Sequence, residues 1–364
     1  MQFCRGKIEA FIHHVATRLM GQFPGRPPHC LLITGGAGFI GTNFVHYWAD
    51  RYPQDKLTVL DALTYAGKRE NLRHLEQTNR LQFVEGNITD RQLVDQLLAR
   101  HDITCLVNFA AESHVDRSIS APDTFVQTNI VGTFTLLEAF RAHWQSQVAR
   151  NPERRYCFLQ VSTDEVYGSL TEASPGFTET TAFAPNSPYS ASKAGGDHFV
   201  RAYSQTYGMP TIVTHCSNNY GPYQFPEKLI PLICRNILQG LPLPIYGDGR
   251  NIRDWIYVDD HCHALELVLL NGQFGESYNI GTDDEVRNID LVHTLCDLMD
   301  DLAADLPVSP SQKLIQFVDD RPGHDWRYAI DATKLRQELG WRPKASIATG
   351  LRKTVQWYLA HLDW

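Results

Sequence analysis

A chain of 364 residues has room for about two domains, or two lobes of one, at roughly 150 residues each. With 43% hydrophobic and 20% charged residues, 25 Gly and 19 Pro, it has a globular composition rather than a disordered, collagen-like or membrane-embedded one. Its 33 basic and 41 acidic residues leave a net charge of −8, which argues against a nucleic-acid partner, although a local Arg and Lys cluster can still hold a small diphosphate.

Residues 1–29 carry Arg5, Lys7, Arg18 and Arg26 against Glu9, with Phe11, Ile12, Val15 and Leu19 at helical spacing. They lack the continuous apolar centre of a secretory signal and read as a poorly ordered extension; a transit or surface-binding helix, or a start codon placed upstream of the true one, are the other readings. No apolar run approaches the 18 residues needed to cross a bilayer, so no membrane is expected. From residue 30 the pattern alternates short apolar runs with longer helical segments, as in a parallel sheet wrapped by helices. Strands are expected at Cys30 to Thr34, Leu57 to Asp61, Leu81 to Glu85, Cys105 to Asn108, Tyr156 to Ser162 and Thr211 to His215. Helices are expected at Phe39 to Arg51, Arg91 to His101, Asn129 to Trp144 and Ala191 to Tyr207. Residues 30–215 form the first lobe on this reading. Residues 216–364, rich in Pro and Tyr, form a smaller second lobe, with some segments returning to the first. The eight cysteines contain no C-x-x-C pair and read as buried thiols of a reducing compartment. His261, Cys262 and His263 are adjacent rather than four apart, so no metal is expected.

Directly after the first strand, Gly35, Gly38 and Gly41 recur at three-residue spacing and open a helix. A diphosphate must come close to backbone N–H groups and the positive helix end, where a Cβ would obstruct it. Asp61, at the end of the second strand, is placed to accept from both ribose hydroxyls and to repel a 2′-phosphate, which favours NAD over NADP. The expected fold class is therefore α/β, a Rossmann-type doubly wound parallel sheet with NAD on the first lobe and a smaller C-terminal substrate-binding lobe.

Tyr189 and Lys193 stand at i and i+4 on one helix face, where the ammonium is expected to favour the phenolate. Together with the Gly-rich turn, Asp61 and Ser162-Thr163 at a strand end, this order resembles the short-chain dehydrogenase/reductase superfamily, extended type. Thr163-Asp164-Glu165 adds two adjacent acids in the cleft. Mutual repulsion would keep one protonated as an acid and leave the other ionised as a base.

From about residue 30 to its end the chain resembles the dTDP-glucose 4,6-dehydratase family. The matching runs are Asp61-Ala-Leu-Thr-Tyr-Ala-Gly67, Ala110-Ala-Glu-Ser-His-Val-Asp-Arg-Ser-Ile119, Ser162-Thr-Asp-Glu-Val-Tyr-Gly168, Tyr189-Ser-Ala-Ser-Lys193, Ser217-Asn-Asn-Tyr-Gly-Pro222, Phe225-Pro-Glu-Lys-Leu-Ile-Pro231, Arg253-Asp-Trp255 and Asp320-Arg-Pro-Gly-His324. The resemblance implies that Tyr189 takes the proton of the sugar 4-hydroxyl while hydride passes from carbon 4 to NAD, with Thr163 bonded to that oxygen. Glu165 then removes the acidified carbon 5 proton, Asp164 protonates the departing 6-hydroxyl, and the hydride returns to carbon 6, giving a 4-keto-6-deoxy sugar nucleotide without exchange of the cofactor.

It also implies cofactor contacts at Phe39, Ile40, Asp61, Ala62, Leu63, Thr64, Ile88, Phe109, Ala110, Ala111, Thr128, Tyr189 and Lys193. Substrate contacts are implied at Ser113, Thr163, Asn218, Lys228, Leu229, Pro244, Ile245, Tyr246, Arg253, Asn288, Asp320, Arg321, Pro322, Gly323 and His324. Lys228, Arg253 and Arg321 suit a diphosphate, and Tyr246 a base. Two departures stand out. Asn87 replaces the family's usual Asp at the adenine and lacks its charge. Gly195-Gly196 replace better helix formers at a cost of about 1 kcal/mol each, without a reason unless another helix packs closely there. The resemblance further implies a cytoplasmic homodimer, formed through helices of the first lobe. A UDP-glucose 4,6-dehydratase, a UDP-glucose 4-epimerase and, more remotely, a non-catalytic NAD-binding scaffold are the alternatives; an epimerase has no use for Asp164 and Glu165.

Overall fold

The structure is a computed structural model that describes residues 29–362. Its strands are β1 (Cys30–Thr34), β2 (Lys56–Asp61), β3 (Leu81–Glu85), β4 (Cys105–Asn108), β5 (Cys157–Thr163), β6 (Thr211–Cys216), β7 (Asn218–Tyr220), β8 (Leu243–Tyr246), β9 (Ile252–Tyr257), β10 (Ser277–Ile280), β11 (Glu285–Arg287) and β12 (Ile315–Val318). Seven form one sheet in the order β10-β6-β5-β4-β1-β2-β3, and every pairing in it is parallel. This is the doubly wound arrangement, with the strand order reversing between β1 and β4.

Continuous apolar runs suit a sheet covered on both faces. Along β1, Leu31 and Ile33 point into one core and Leu32 into the other, the alternation a pleated strand requires. The helices Phe39–Arg51 and Val258–Asn271 pack together on the first face; Arg91–Arg100, Thr133–Val148 and Pro188–Tyr207 cover the second. A separate core in the C-terminal lobe joins the helices Leu229–Gln239, Asn288–Leu302 and Ile347–Ala360 with β8.

The six expected strands lie within one residue of the observed ends. The seventh, β10, comes from far along the chain and pairs with β6, so residues well beyond 215 complete the first sheet. The helix expected from Asn129 begins instead as a π-helical stretch, Val126–Gly132, before Thr133–Val148. The helix expected from Ala191 begins at Pro188, where Ser187 and Ser190 cap each other's backbone N–H groups. This puts Tyr189 in its first turn. The expectation for the N-terminal extension falls on residues 1–28, which lie outside the described residues, as does Cys4. His29, assigned to that extension, is buried, and its N–H donates to Asp55 at 3.1 Å, so it is part of the folded lobe. The seven described cysteines are buried, and none is in a disulfide.

Candidate active site

A cleft of ≈ 330 Å³ opens at the carboxyl ends of β1, β2, β4 and β5. Its floor is the Gly-rich turn. At Gly35, φ is +68° and a Cβ would sit 2.6 Å from the Ala110 nitrogen; at Gly41 it would sit 2.3 Å from the Gly35 oxygen. These two glycines let the turn close on its neighbours. Gly38 is different: a Cβ there meets only the Gly35 oxygen at 3.4 Å. The space before the Phe39–Arg51 helix is thus open to a diphosphate, and the cradle fits NAD.

Asp61 is buried, and its two carboxylate oxygens accept from the Ala37 and Leu63 N–H groups at 2.9 Å each. It clamps the Gly-rich turn while keeping lone pairs for a ribose. Burial raises its pKa, against the pull of those two backbone bonds. Phe39, Ile40, Ala62, Thr64, Asn87, Ile88, Phe109, Ala110, Ala111 and Thr128 line the cleft with Tyr189 and Lys193. Leu63 does not; its role here is the N–H given to Asp61. Asn87 uses its side-chain oxygen on the Thr89 N–H and hydroxyl, both at 2.9 Å.

The chemistry gathers where β5 meets the Pro188–Tyr207 helix. Thr163 ends β5 and accepts from the Glu165 N–H at 3.3 Å, and Asp164 and Glu165 form the next turn. Tyr189 and Lys193 are nearly buried, and Lys193 Nζ donates to the Val161 oxygen at 2.8 Å. Burial, and then the negative charge of Glu165, push the phenol well above its ordinary range, with Thr163 drawing it back, while burial lowers Lys193. The bond to Val161 uses one of the three ammonium donors and leaves two.

The two acids differ. Asp164 is pushed well above the carboxylate range by burial, then by Glu165 and Asp254. One of its oxygens is buried with no partner among the described residues. Glu165 is also raised by burial, but Arg321, Lys228 and Arg253 pull it back. The cations thus favour the ionised form at Glu165 more than at Asp164.

Of the expected substrate residues, Ser113, Thr163, Asn218 and Lys228 line this cleft. Lys228 Nζ donates to the Ser113 oxygen at 2.8 Å, and burial lowers its pKa. The others lie beyond it, on the C-terminal lobe. Leu229 opens a helix and Ile245 is a core residue on β8, next to Pro244 and the half-exposed Tyr246. Arg253 donates to the Ile252 and Asp325 oxygens at 2.7 and 2.9 Å, and its guanidinium lies 4.2 Å over the Tyr328 ring. His324 pairs with Asp320 at 2.6 Å, while Pro322 and Gly323 are exposed. Asn218 Oδ1, Asn288 Oδ1 and Arg321 Nε are buried without a partner among the described residues. Leaving such groups unpaired costs on the order of 1–3 kcal/mol each, which a polar ligand would recover.

Sequence reasoning did not single out Asp197, which continues the Tyr189, Lys193 spacing by one more turn and accepts from the Ser162 hydroxyl at 2.5 Å. That i+8 position was the available signal. It also overlooked Cys216, which lines the cleft, and gave no role to three residues of the matched runs: Ser217, which lines it too, and Phe225 and Glu227, which close its side against Tyr65 and Arg117. Gly195 and Gly196 acquire their reason here. A Cβ on Gly196 would lie 2.7 Å from the Asn129 oxygen, and one on Gly195 2.9 Å from Ile130 Cδ1. The π-helical stretch packs that closely on the catalytic helix. From it, Asn129 bonds both Glu112 and Ser192, tying the loop after β4 to the helix that carries Tyr189.

A family model described as GDP-mannose 4,6 dehydratase matches residues 32–354. A dTDP-glucose 4,6-dehydratase of Shigella flexneri is 52% identical over 345 residues, 92% of this chain and 94% of the relative. Among solved structures, the dTDP-glucose 4,6-dehydratase of Bacillus anthracis in complex with NAD is similar at 46% identity and a TM-score of 0.80. That of Streptomyces venezuelae, also with NAD bound, is similar at 46% identity and 0.83. Each comparison covers 92% of this chain and 98% of the other.

Proposed function

Because the chain belongs to the GDP-mannose 4,6 dehydratase family and is about half identical to dTDP-glucose 4,6-dehydratases, we propose that it carries out their reaction on dTDP-glucose, with NAD. It is an NAD-dependent hydro-lyase that removes water across carbons 5 and 6 of the sugar and leaves a 4-ketone. The observation that carries this reading is the Thr163-Asp164-Glu165 turn beside Tyr189, with the two acids held in unlike electrostatic surroundings.

Gly35, Gly38 and Gly41, with Asp61, hold the cofactor. Bound NAD supplies a two-electron acceptor that takes the hydride of carbon 4 and gives it back at carbon 6, together with a positive charge that works in the same direction as Lys193 on the phenol. Tyr189 receives the 4-hydroxyl proton, and Thr163 donates to the same sugar oxygen. The ketone acidifies carbon 5, whose proton Glu165 removes and later returns. Asp164, kept protonated by burial and by its neighbour, gives its proton to the 6-hydroxyl, which leaves as water. Lys228, Arg253 and Arg321 form the cationic side of the diphosphate site, and Tyr246 offers a ring to the base.

The protein acts as a homodimer. Supporting this is an apolar face on the two helices beside the active site, where Phe134, Phe199 and Tyr207 are each at least 40% exposed and Phe134 meets Phe199 edge to face at 5.9 Å. A cytoplasmic location suits seven buried cysteines that form no disulfide among the described residues. Among the described residues no helix is long and apolar enough to cross a membrane.

Incubation with dTDP-glucose and with UDP-glucose, followed by alkali and measurement of the absorbance of a 4-keto sugar, tests the function. Signal with dTDP-glucose and little with UDP-glucose is expected. No ketone from either substrate refutes it.

A further inference from the structure

Asp116 lies in the matched run of residues 110–119 but is given no role in the reaction by the resemblance, yet it holds two of the groups the substrate needs. It sits on the short helix Val115–Ser120 that follows β4 in the first lobe. Tyr246 ends β8 and Arg321 follows β12, both in the C-terminal lobe. One oxygen of Asp116 accepts from the Tyr246 hydroxyl at 3.2 Å, and the other faces Arg321 Nη1 at 3.3 Å. A single carboxylate therefore fixes a ring suited to a base and a guanidinium suited to a diphosphate, and fixes them across the lobe boundary.

Its grip on Arg321 is partial. The contact uses Nη1, while Nε is buried and has no partner among the described residues. A guanidinium held at one nitrogen with a second donor desolvated and unused is prepared for an anionic oxygen. As an ion pair with a half-exposed carboxylate, Asp116 and Arg321 contribute little to stability. The contact has more value as preorganisation, because ordering a long side chain before binding removes that cost from the binding step.

We propose that Asp116 is a positioning residue for nucleotide-sugar binding, which sets Arg321 and Tyr246 in place before the diphosphate arrives. The inference rests on the nucleotide-sugar reading above. Its effect belongs to binding rather than to chemistry, since Asp116 contacts none of Thr163, Asp164, Glu165 or Tyr189 through a hydrogen bond in this structure.

The test is calorimetric titration of the NAD-loaded protein with dTDP, paired with steady-state kinetics on dTDP-glucose. Asp116→Ala is expected to raise the Kd for dTDP and the KM for the sugar nucleotide about five- to tenfold, the scale of immobilising one rotamer-rich side chain, with kcat within about twofold. In an Arg321→Ala, Tyr246→Phe background the same substitution is expected to cost less than about twofold, because the groups it positions are gone. An unchanged Kd in Asp116→Ala overturns the inference, as does a fall in kcat with KM unaltered, or an undiminished effect in the double-variant background. Failure of the unsubstituted protein to bind dTDP overturns the nucleotide-sugar reading itself.

Discussion

Replacing Gly196 with Ala sets two effects of opposite sign against each other, and the structure decides between them. In an exposed helix interior the change would add about 1 kcal/mol through helix propensity. Here the new Cβ would stand 2.7 Å from the backbone oxygen of Asn129, and overpacking of that kind costs about 1–3 kcal/mol. The oxygen cannot rotate away. It belongs to a residue whose side chain also bonds Glu112 and Ser192. The two helices must separate, for a net loss of up to about 2 kcal/mol, or a few degrees in Tm. Gly195→Ala is the control, since its Cβ meets only the end of the Ile130 side chain, at 2.9 Å, which can move. Thermal unfolding of both variants, with turnover at saturating dTDP-glucose, makes the comparison. Gly196→Ala should melt lower than Gly195→Ala and lose turnover, because Tyr189 and Lys193 ride on the displaced helix. If Gly196→Ala melts as high as Gly195→Ala, close helix packing is not the reason for the glycine pair.

Glu165→Gln should still reduce bound NAD with dTDP-glucose but lose solvent deuterium exchange at carbon 5, read by mass spectrometry; retained exchange would place the base elsewhere. Asp164 is needed protonated, so kcat should fall as pH rises through its raised pKa, and Asp164→Asn should be slow at every pH with that limb flattened. Asp254 is fully buried and pushed up to about 7, mainly by burial. The folded state therefore binds the extra proton, and stability should decline as pH rises from about 4 to about 7 and then level off, by about 4 kcal/mol for this group. Asp254→Asn should flatten that part of a pH series of urea unfolding curves. Phe134→Glu should convert the dimer to monomer in sedimentation velocity; an unchanged dimer would assign the interface to another face.

The sheet strands were legible because a strand buried on both faces must be written as a short continuous apolar run, as in Leu31-Leu32-Ile33 and Leu106-Val107. β10 was not, since nothing in Ser277–Ile280 says that it pairs with β6 rather than with its chain neighbours. The site divides in the same way. Gly35, Gly41 and the Tyr189, Lys193 pair were readable because close approach and helical spacing are local requirements. Asp197 was readable in principle, one turn further on. Cys216 had no local signature, and Phe225, Glu227 and Asp116 lay in matched runs that gave them no role, as their contacts depend on how the second lobe closes on the first.

By itself the sequence determined the alternating sheet and helix order, the Gly-rich cradle with its acidic clamp, and the presence of two carboxylates where one base would serve a simple dehydrogenase. Each is set by backbone sterics or by the spacing of residues within a turn or two. Only the tertiary structure decided how unlike the surroundings of the two carboxylates are. Asp164 and Glu165 are chain neighbours of nearly identical chemistry, and they differ because Arg321, Lys228 and Arg253 come from distant segments to face Glu165, while Asp164 is buried near Asp254. It likewise decided that Lys193 donates a hydrogen bond to a backbone carbonyl, and that two helix-weakening glycines stand where another helix needs the room. Charge and close packing act through space, so residues tens to more than a hundred positions apart set them, and no reading along the chain contains the distance.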